Sequence, residues 1–242
     1  MRHAAARARD VYERLRDRRL DDEARWNRRS QDELRFWRNA LLRGEYHYLL
    51  DPEAPVSAPC LLKAIEGVQQ TEVSILDVGA GPLTAAGHQC PGKVLRITAS
   101  DPLAKGYNAI LDEAGMTPPV RSVKVAGEEI LEHFGPGSFD IAFAHNALDH
   151  SNDPWEILQQ MLEVARTRVA LMHFQNEGEY NLYHGLHRWN VDVRDGELWF
   201  WDRNRVRALN VSTAVESLGW HSSQWLEQGP PGHPQVHVVL SR

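Results

Sequence analysis

The sequence predicts an α/β fold in which a mostly parallel sheet carries helices on both faces. Three observations predict it. Strand-like apolar runs alternate with helical patterns from residue 73 to residue 174, the arrangement that builds a parallel sheet. The first run ends in a glycine turn, Asp77-Val78-Gly79-Ala80-Gly81. The last two runs flank Gly229-Pro230-Pro231-Gly232, which reads as a closing antiparallel hairpin.

Residues 5–29 read as one charged helix, with Val11, Tyr12 and Leu15 as a modest apolar stripe. Ser30 and Glu33 form a capping-box pattern for a second helix that carries Leu34, Trp37 and Leu41 at helical spacing and ends at Gly44. Asp51-Pro52-Glu53-Ala54-Pro55 is a turn-rich linker, and residues 60–70 suit a helix. This divides the chain into an N-terminal helical cap, 1–58, and a main domain, 59–242.

In the main domain, strand 73–78, helix 82–89, strand 94–100 and helix 103–115 come first. Strand 121–126, helix 127–134, strand 139–144, helix 153–165 and strand 167–174 follow. Residues 213–218 form a helix capped by Ser212 and ended by Gly219, before strands 220–227 and 235–240. An insertion at about 176–208 interrupts this order. Within it, two alternating or aromatic runs flank Asp195-Gly196, a hairpin signal, so a β-hairpin is expected at about 188–202.

The glycine turn carries the first chemical information. Glycine has no Cβ, so a ligand can lie against bare backbone there. Pro82 suits the first turn of a following helix. A dinucleotide fingerprint requires a third glycine, and that position is Thr84. Asp77 stands just before the turn, where an acid suits an ammonium group better than a pyrophosphate. Asp101, 20 residues after Gly81, ends the second strand-like run at a spacing suited to binding ribose hydroxyls. S-adenosyl-L-methionine (SAM) has an amino group, a sulfonium and no phosphate, and it fits both acids.

The stretch Ile75–Thr84 with Asp101 resembles motif I and the following acid of class I SAM-dependent methyltransferases. The similarity spans roughly residues 64–242 and is strongest over 74–154. It implies a Rossmann-like, seven-stranded sheet and SAM as cofactor. It implies that Asp77, Gly79, Ala80 and Gly81 hold the methionine end, Asp101 the ribose, and Pro102 and Leu103 the adenine surroundings. Glu128 is implied near the adenine amino group, with His145 and Asn146 at the strand end beside the methyl group. A helical cap over the cofactor mouth also follows from the resemblance.

Methyl transfer requires aligned reactants and sometimes a general base. Histidine titrates near neutrality, so His150 is the first candidate base, with Asp149 as its orienter or competitor. His184 and His187, three residues apart, are further candidates from the insertion. With Glu177 or His173 they fall short of a full metal-ligand signature, and no metal is expected. His150, His184 and His187 are expected to face one cavity, lined also by Trp189, Trp199 and Trp201.

The expected function is methyl transfer to oxygen or nitrogen of a small metabolite. Peptide or RNA methylation and a non-catalytic binding role are the alternatives. No cysteine follows the strand at 139–144, which excludes covalent cysteine catalysis there. No Asp-Pro-Pro-Tyr or Asn-Pro-Pro-Tyr stands there either, against enzymes that methylate DNA adenine or protein glutamine. A net charge of −6 argues against a nucleic-acid partner, although residues 1–50 hold 13 Arg against 9 acids. No run of 18 apolar residues predicts a membrane span. The first residues lack the apolar core of a signal peptide, and only Cys60 and Cys90 are present, so a reducing cytoplasm is expected. Oligomeric state is not legible.

Overall fold

The computed structural model describes residues 22–230 and 232–242. The expected helix at 5–29 therefore lies mostly outside the described residues. What is described begins with α1, Asp22–Leu42, one uninterrupted helix. The capping box at Ser30 does not form. No glycine or proline breaks the stretch, and the Ser30 hydroxyl bonds back to the Asn27 carbonyl at 3.1 Å inside the helix.

After α2, Pro59–Glu66, the main sheet contains β1, Glu72–Val78, and β2, Val94–Ser100. Helix α3, Ala104–Glu113, leads through a 3₁₀ turn at Gly127–Glu129 to α4, Ile130–Phe134, and β3, Phe139–His145. Helix α5, Pro154–Val164, and β4, Ala165–Phe174, follow. The sheet order is β2-β1-β3-β4 and then the two final strands, β9, Gln235–Ser241, and β8, His221–Glu227. The first four strands are parallel; β9 is antiparallel to β4 and to β8. This is the Rossmann-like methyltransferase sheet with its closing hairpin.

Two expected elements are absent, and both give way to long-range hydrogen bonds. No helix follows the glycine turn at 82–89. Gly81 and Gly87 take φ of +64° and +74°, and Pro82 lies between them. The segment instead bonds to the linker: the amides of His88 and Gln89 donate to the Ala54 carbonyl, and Val56 donates to the Gln89 carbonyl. The strand at 121–126 shrinks to one bridge between Ser100 and Val123, which leaves six strands rather than seven. Ser122 is drawn away to donate its hydroxyl to the Gly81 carbonyl at 2.7 Å. The bend therefore braces the glycine turn.

The insertion contains the short helix α6, Glu177–Tyr180, then β5, Trp189–Arg194, and β6, Glu197–Asp202. Asp195 and Gly196 take φ of +51° and +82°, as a tight primed turn requires. A third strand, β7, Ala208–Asn210, makes a three-stranded sheet where a hairpin was expected. Its three residues are too short for a periodic signal. Helix α7, Val211–Ser217, is capped by Asn210, whose side chain accepts from the Thr213 amide, and not by Ser212. Ser212 instead accepts from the Leu198 amide and ties α7 to β6.

Candidate active site

A cavity of about 1050 Å³ opens at the carboxyl ends of β1, β2, β3 and β4. This is where open α/β sheets bind ligands. Its roof comes from α1 and the segment after it. Leu34 of α1 approaches Gly106 so closely that a Cβ there would lie 2.6 Å from the leucine methyl. Trp37 meets Tyr107 of α3 edge-on, with ring centroids 6.4 Å apart. Trp37 also lies over the glycine turn, 3.5 Å from where a Cβ on Gly81 would sit.

The turn is built for close backbone approach. Gly79 and Gly81 have φ of +72° and +64°. A Cβ at Gly79 would lie 2.5 Å from the Ala147 methyl. Asp101 braces the turn from below: one carboxylate oxygen accepts from the Gly81 amide at 3.0 Å, the other from the Leu103 amide at 2.7 Å. Asp77 accepts from the Thr84 hydroxyl at 2.5 Å. The other Asp77 oxygen is buried without a partner, which costs free energy unless a ligand donor meets it.

Burial pushes the Asp77 carboxyl up to about 7, against the Thr84 hydrogen bond and with help from the Asp101 charge. Burial likewise raises Asp101 to about 6, against its two backbone hydrogen bonds. Glu128 is raised as well, first by burial and then by its acidic neighbours. These groups are poised to gain a cationic ligand. A cationic or hydrogen-bond-donating ligand would meet the orphaned Asp77 oxygen.

Two expected outcomes follow from this geometry. Asp101→Ala removes two charge-assisted backbone hydrogen bonds worth about 1.5–3 kcal/mol each before relaxation. SAM affinity and the thermal midpoint should fall together, measured by calorimetry and thermal unfolding. Unchanged values for both would disprove the bracing role. The second concerns pH. Below about 6 and 7, Asp101 and Asp77 are neutral and offer a cation little. SAM affinity should therefore strengthen as pH rises through that window. Without ligand, the sign is opposite. The folded state holds protons that the unfolded chain has released, so these two groups lower stability as pH rises from about 4 to about 7. A SAM dissociation constant that does not vary between about pH 5.5 and 8 would contradict it.

At the end of β3, Asn146 takes φ of +51°, a left-handed conformation that asparagine tolerates. Its side-chain oxygen accepts from the Phe174 amide at 3.2 Å. A 3₁₀ turn at Leu148–His150 follows. Here the insertion docks. The Arg188 amide donates to the Asp149 carbonyl at 2.9 Å, and the Trp189 indole donates to the Ser151 carbonyl at 3.2 Å.

This docking assembles a carboxylate–histidine cluster. His187 Nδ1 lies 2.7 Å from Asp149 Oδ2, and His150 Nε2 lies 3.2 Å from the same nitrogen. His150 is 3.6 Å from Asp149, so the direct bond belongs to His187. Asp149 is fully buried. Burial alone would raise it, but His150, His187 and His173 hold it down at about 2. Burial lowers His187 and the Asp149 bond more than offsets this, so His187 is raised. The pair stabilises the fold mainly above the unfolded carboxylate value. Its Asp149 part is lost as pH falls through about 2, and its His187 part as pH rises past the raised imidazole value.

The structure places Asp77, Gly79, Ala80, Gly81, Asp101, Pro102, Leu103, Glu128, His145 and Asn146 on the cavity wall. His150 and His187 also line it, with Asp149 buried behind them. His184 does not line it, nor do Trp189, Trp199 and Trp201. Trp189 is buried in the main core and Trp201 within the insertion, where Arg194 lies 3.8 Å over the Trp201 ring. The aromatic wall comes instead from Trp26, Phe36, Trp37, Tyr46 and Tyr48. Sequence reasoning missed it because helical spacing marked Trp37 as an ordinary apolar stripe. It also missed Glu33, which was assigned to a cap.

Fold, glycine turn and paired acids resemble those of class I SAM-dependent methyltransferases. Residues 76–172 match the family model described as a methyltransferase domain. No curated protein matches the chain. Among solved structures, the CurJ carbon methyltransferase has a TM-score of 0.50 at 15% identity, covering 75% of this chain and 51% of that one. Magnesium protoporphyrin IX methyltransferase from Synechocystis with bound SAM has a TM-score of 0.46 at 10% identity, covering 75% and 76%. The methyltransferase CalH in complex with S-adenosylhomocysteine has 0.49 at 14%, covering 75% and 54%. The first of these likenesses shows the fold.

Proposed function

We propose that the chain methylates a small molecule at oxygen or nitrogen, with His187 as general base and Asp149 as its positioning residue. The observation that carries this is the 2.7 Å bond between His187 Nδ1 and Asp149 Oδ2 at the cavity wall. Asp149 holds the proton on Nδ1, which leaves Nε2 as the basic nitrogen. This tautomer is assigned from the hydrogen-bond network. Sequence reasoning gave the base role to His150; the shorter Asp149 contact favours His187, with His150 packed beside it.

Bound SAM supplies an electrophilic methyl carbon on a sulfonium. Asp77 and the glycine turn hold its methionine end, Asp101 its ribose, and Glu128 and Leu103 the adenine surroundings. His145 and Asn146 sit at the strand end nearest the methyl group. Of the N-terminal segment, the described residues 22–58 serve as a cap, and the roof formed by α1 supports an enclosed, small acceptor. No described helix is long and apolar enough to cross a membrane, and we place the enzyme in the cytoplasm. Incubation with methyl-labelled SAM and fractionated small-molecule extract tests the reading. Label should enter a low-mass compound. Label found only in protein or RNA overturns it.

A further inference from the structure

Glu33 and Glu177 are among the further carboxylates that line the cavity. Glu177 is 8% exposed, at the start of α6. One oxygen accepts from the Asn181 side-chain Nδ2 at 2.7 Å, and the other is buried without a partner. The residue before it, Asn176, takes φ of +56° and also has an unpartnered buried side-chain oxygen. Glu33, on α1, accepts from the Trp37 indole at 2.9 Å. Glu33 and Glu177 line the same cavity as His187.

No Lys or Arg stands among the described residues of the cavity wall. An anionic acceptor there would face carboxylates, with only imidazoles as described counterparts. The aromatic roof has the complementary property. Trp37 and Tyr46 are packed at a centroid distance of 4.9 Å, with Phe36 beside Trp37 at 5.6 Å. Aromatic faces attract organic cations through their quadrupoles.

We propose that the acceptor carries an organic ammonium group, held by Glu177 and Glu33 beneath the Trp37–Tyr46 wall. The unpartnered Glu177 oxygen accepts from the ammonium, and the aromatic rings cover its alkyl or aryl body. This identifies the acceptor class of the methyl-transfer site and rests on that reading.

The test is calorimetry on the full chain saturated with S-adenosylhomocysteine, using 2-phenylethylamine, 2-phenylethanol and phenylacetate as matched probes. The amine should bind at least about tenfold more tightly than the alcohol or the acid. Glu177→Gln should weaken amine binding about tenfold and leave S-adenosylhomocysteine binding unchanged. Glu33→Gln provides the same comparison if the Glu177 variant does not fold. Equal binding of the alcohol or acid, no binding of any probe, or amine binding indifferent to both substitutions overturns the proposal. Failure of S-adenosylhomocysteine itself to bind instead removes the methyl-transfer reading on which it stands.

Discussion

Asp149→Asn should lower turnover by about 10²–10⁴-fold, the contribution of a positioned general base, while SAM affinity stays within about twofold. The carboxylate can only accept, so it fixes the His187 proton on Nδ1. An asparagine amide can also donate. It can then pair with the Nδ1 lone pair and leave the proton on Nε2, where the base is required. The defect should therefore appear in kcat and in the acidic limb of its pH profile. His187→Ala should show a similar loss, and combining the two should add little, because the residues act as one unit. Turnover unchanged in Asp149→Asn would show that the cluster only joins the insertion to the β3 loop. Thermal unfolding of the same variants separates the two roles, since a structural loss would appear there first.

Gly79→Val should have the largest effect on the cofactor site. The backbone at φ +72° costs an L-residue about 1–2 kcal/mol. The added Cβ would stand 2.5 Å from the Ala147 methyl, and overpacking of that kind costs about 1–3 kcal/mol. Together, about 2–5 kcal/mol is a large share of the stability of an ordinary domain. The variant should unfold at clearly lower urea concentration and lose SAM binding by at least about a hundredfold. Adding Ala147→Gly should relieve the contact but not the backbone strain. The double variant should recover part of the stability and little of the binding. Full recovery of both would mean that only the contact mattered, and native-like behaviour of Gly79→Val would refute the turn geometry.

Much of the sheet was legible because apolar runs at 94–100 and 139–144 have both the length and the bounding residues of buried strands. Asp77 and Asp101 were legible as a pair because the glycine turn fixes which strand ends meet. The helix expected at 82–89 failed for a tertiary reason. Its backbone bonds to the Ala54–Val56 linker, which no local propensity encodes. The strand at 121–126 failed because Ser122 was recruited to the glycine turn. Aromatic residues misled in a different way. Trp189, Trp199 and Trp201 belong to an insertion expected to wall the pocket, but Trp189 is buried in the main core and Trp201 is buried beneath Arg194. The roof around Trp37 depends on how α1 crosses α3 at Gly106, and helical spacing alone does not set that crossing. The pairing of Asp149 with His187, 38 residues apart, likewise depends on where the insertion docks.

The central claim is that Asp77, with its orphaned oxygen beside the glycine turn, receives the charged end of SAM. Calorimetric titration of SAM into wild type and Asp77→Asn at about pH 8, where the wild-type carboxylate is ionised, tests it most directly. Wild type should bind one SAM per chain, and the substitution should weaken binding at least about tenfold with the fold intact. Equal affinity in the two proteins, or no SAM binding by folded wild type, would contradict the account.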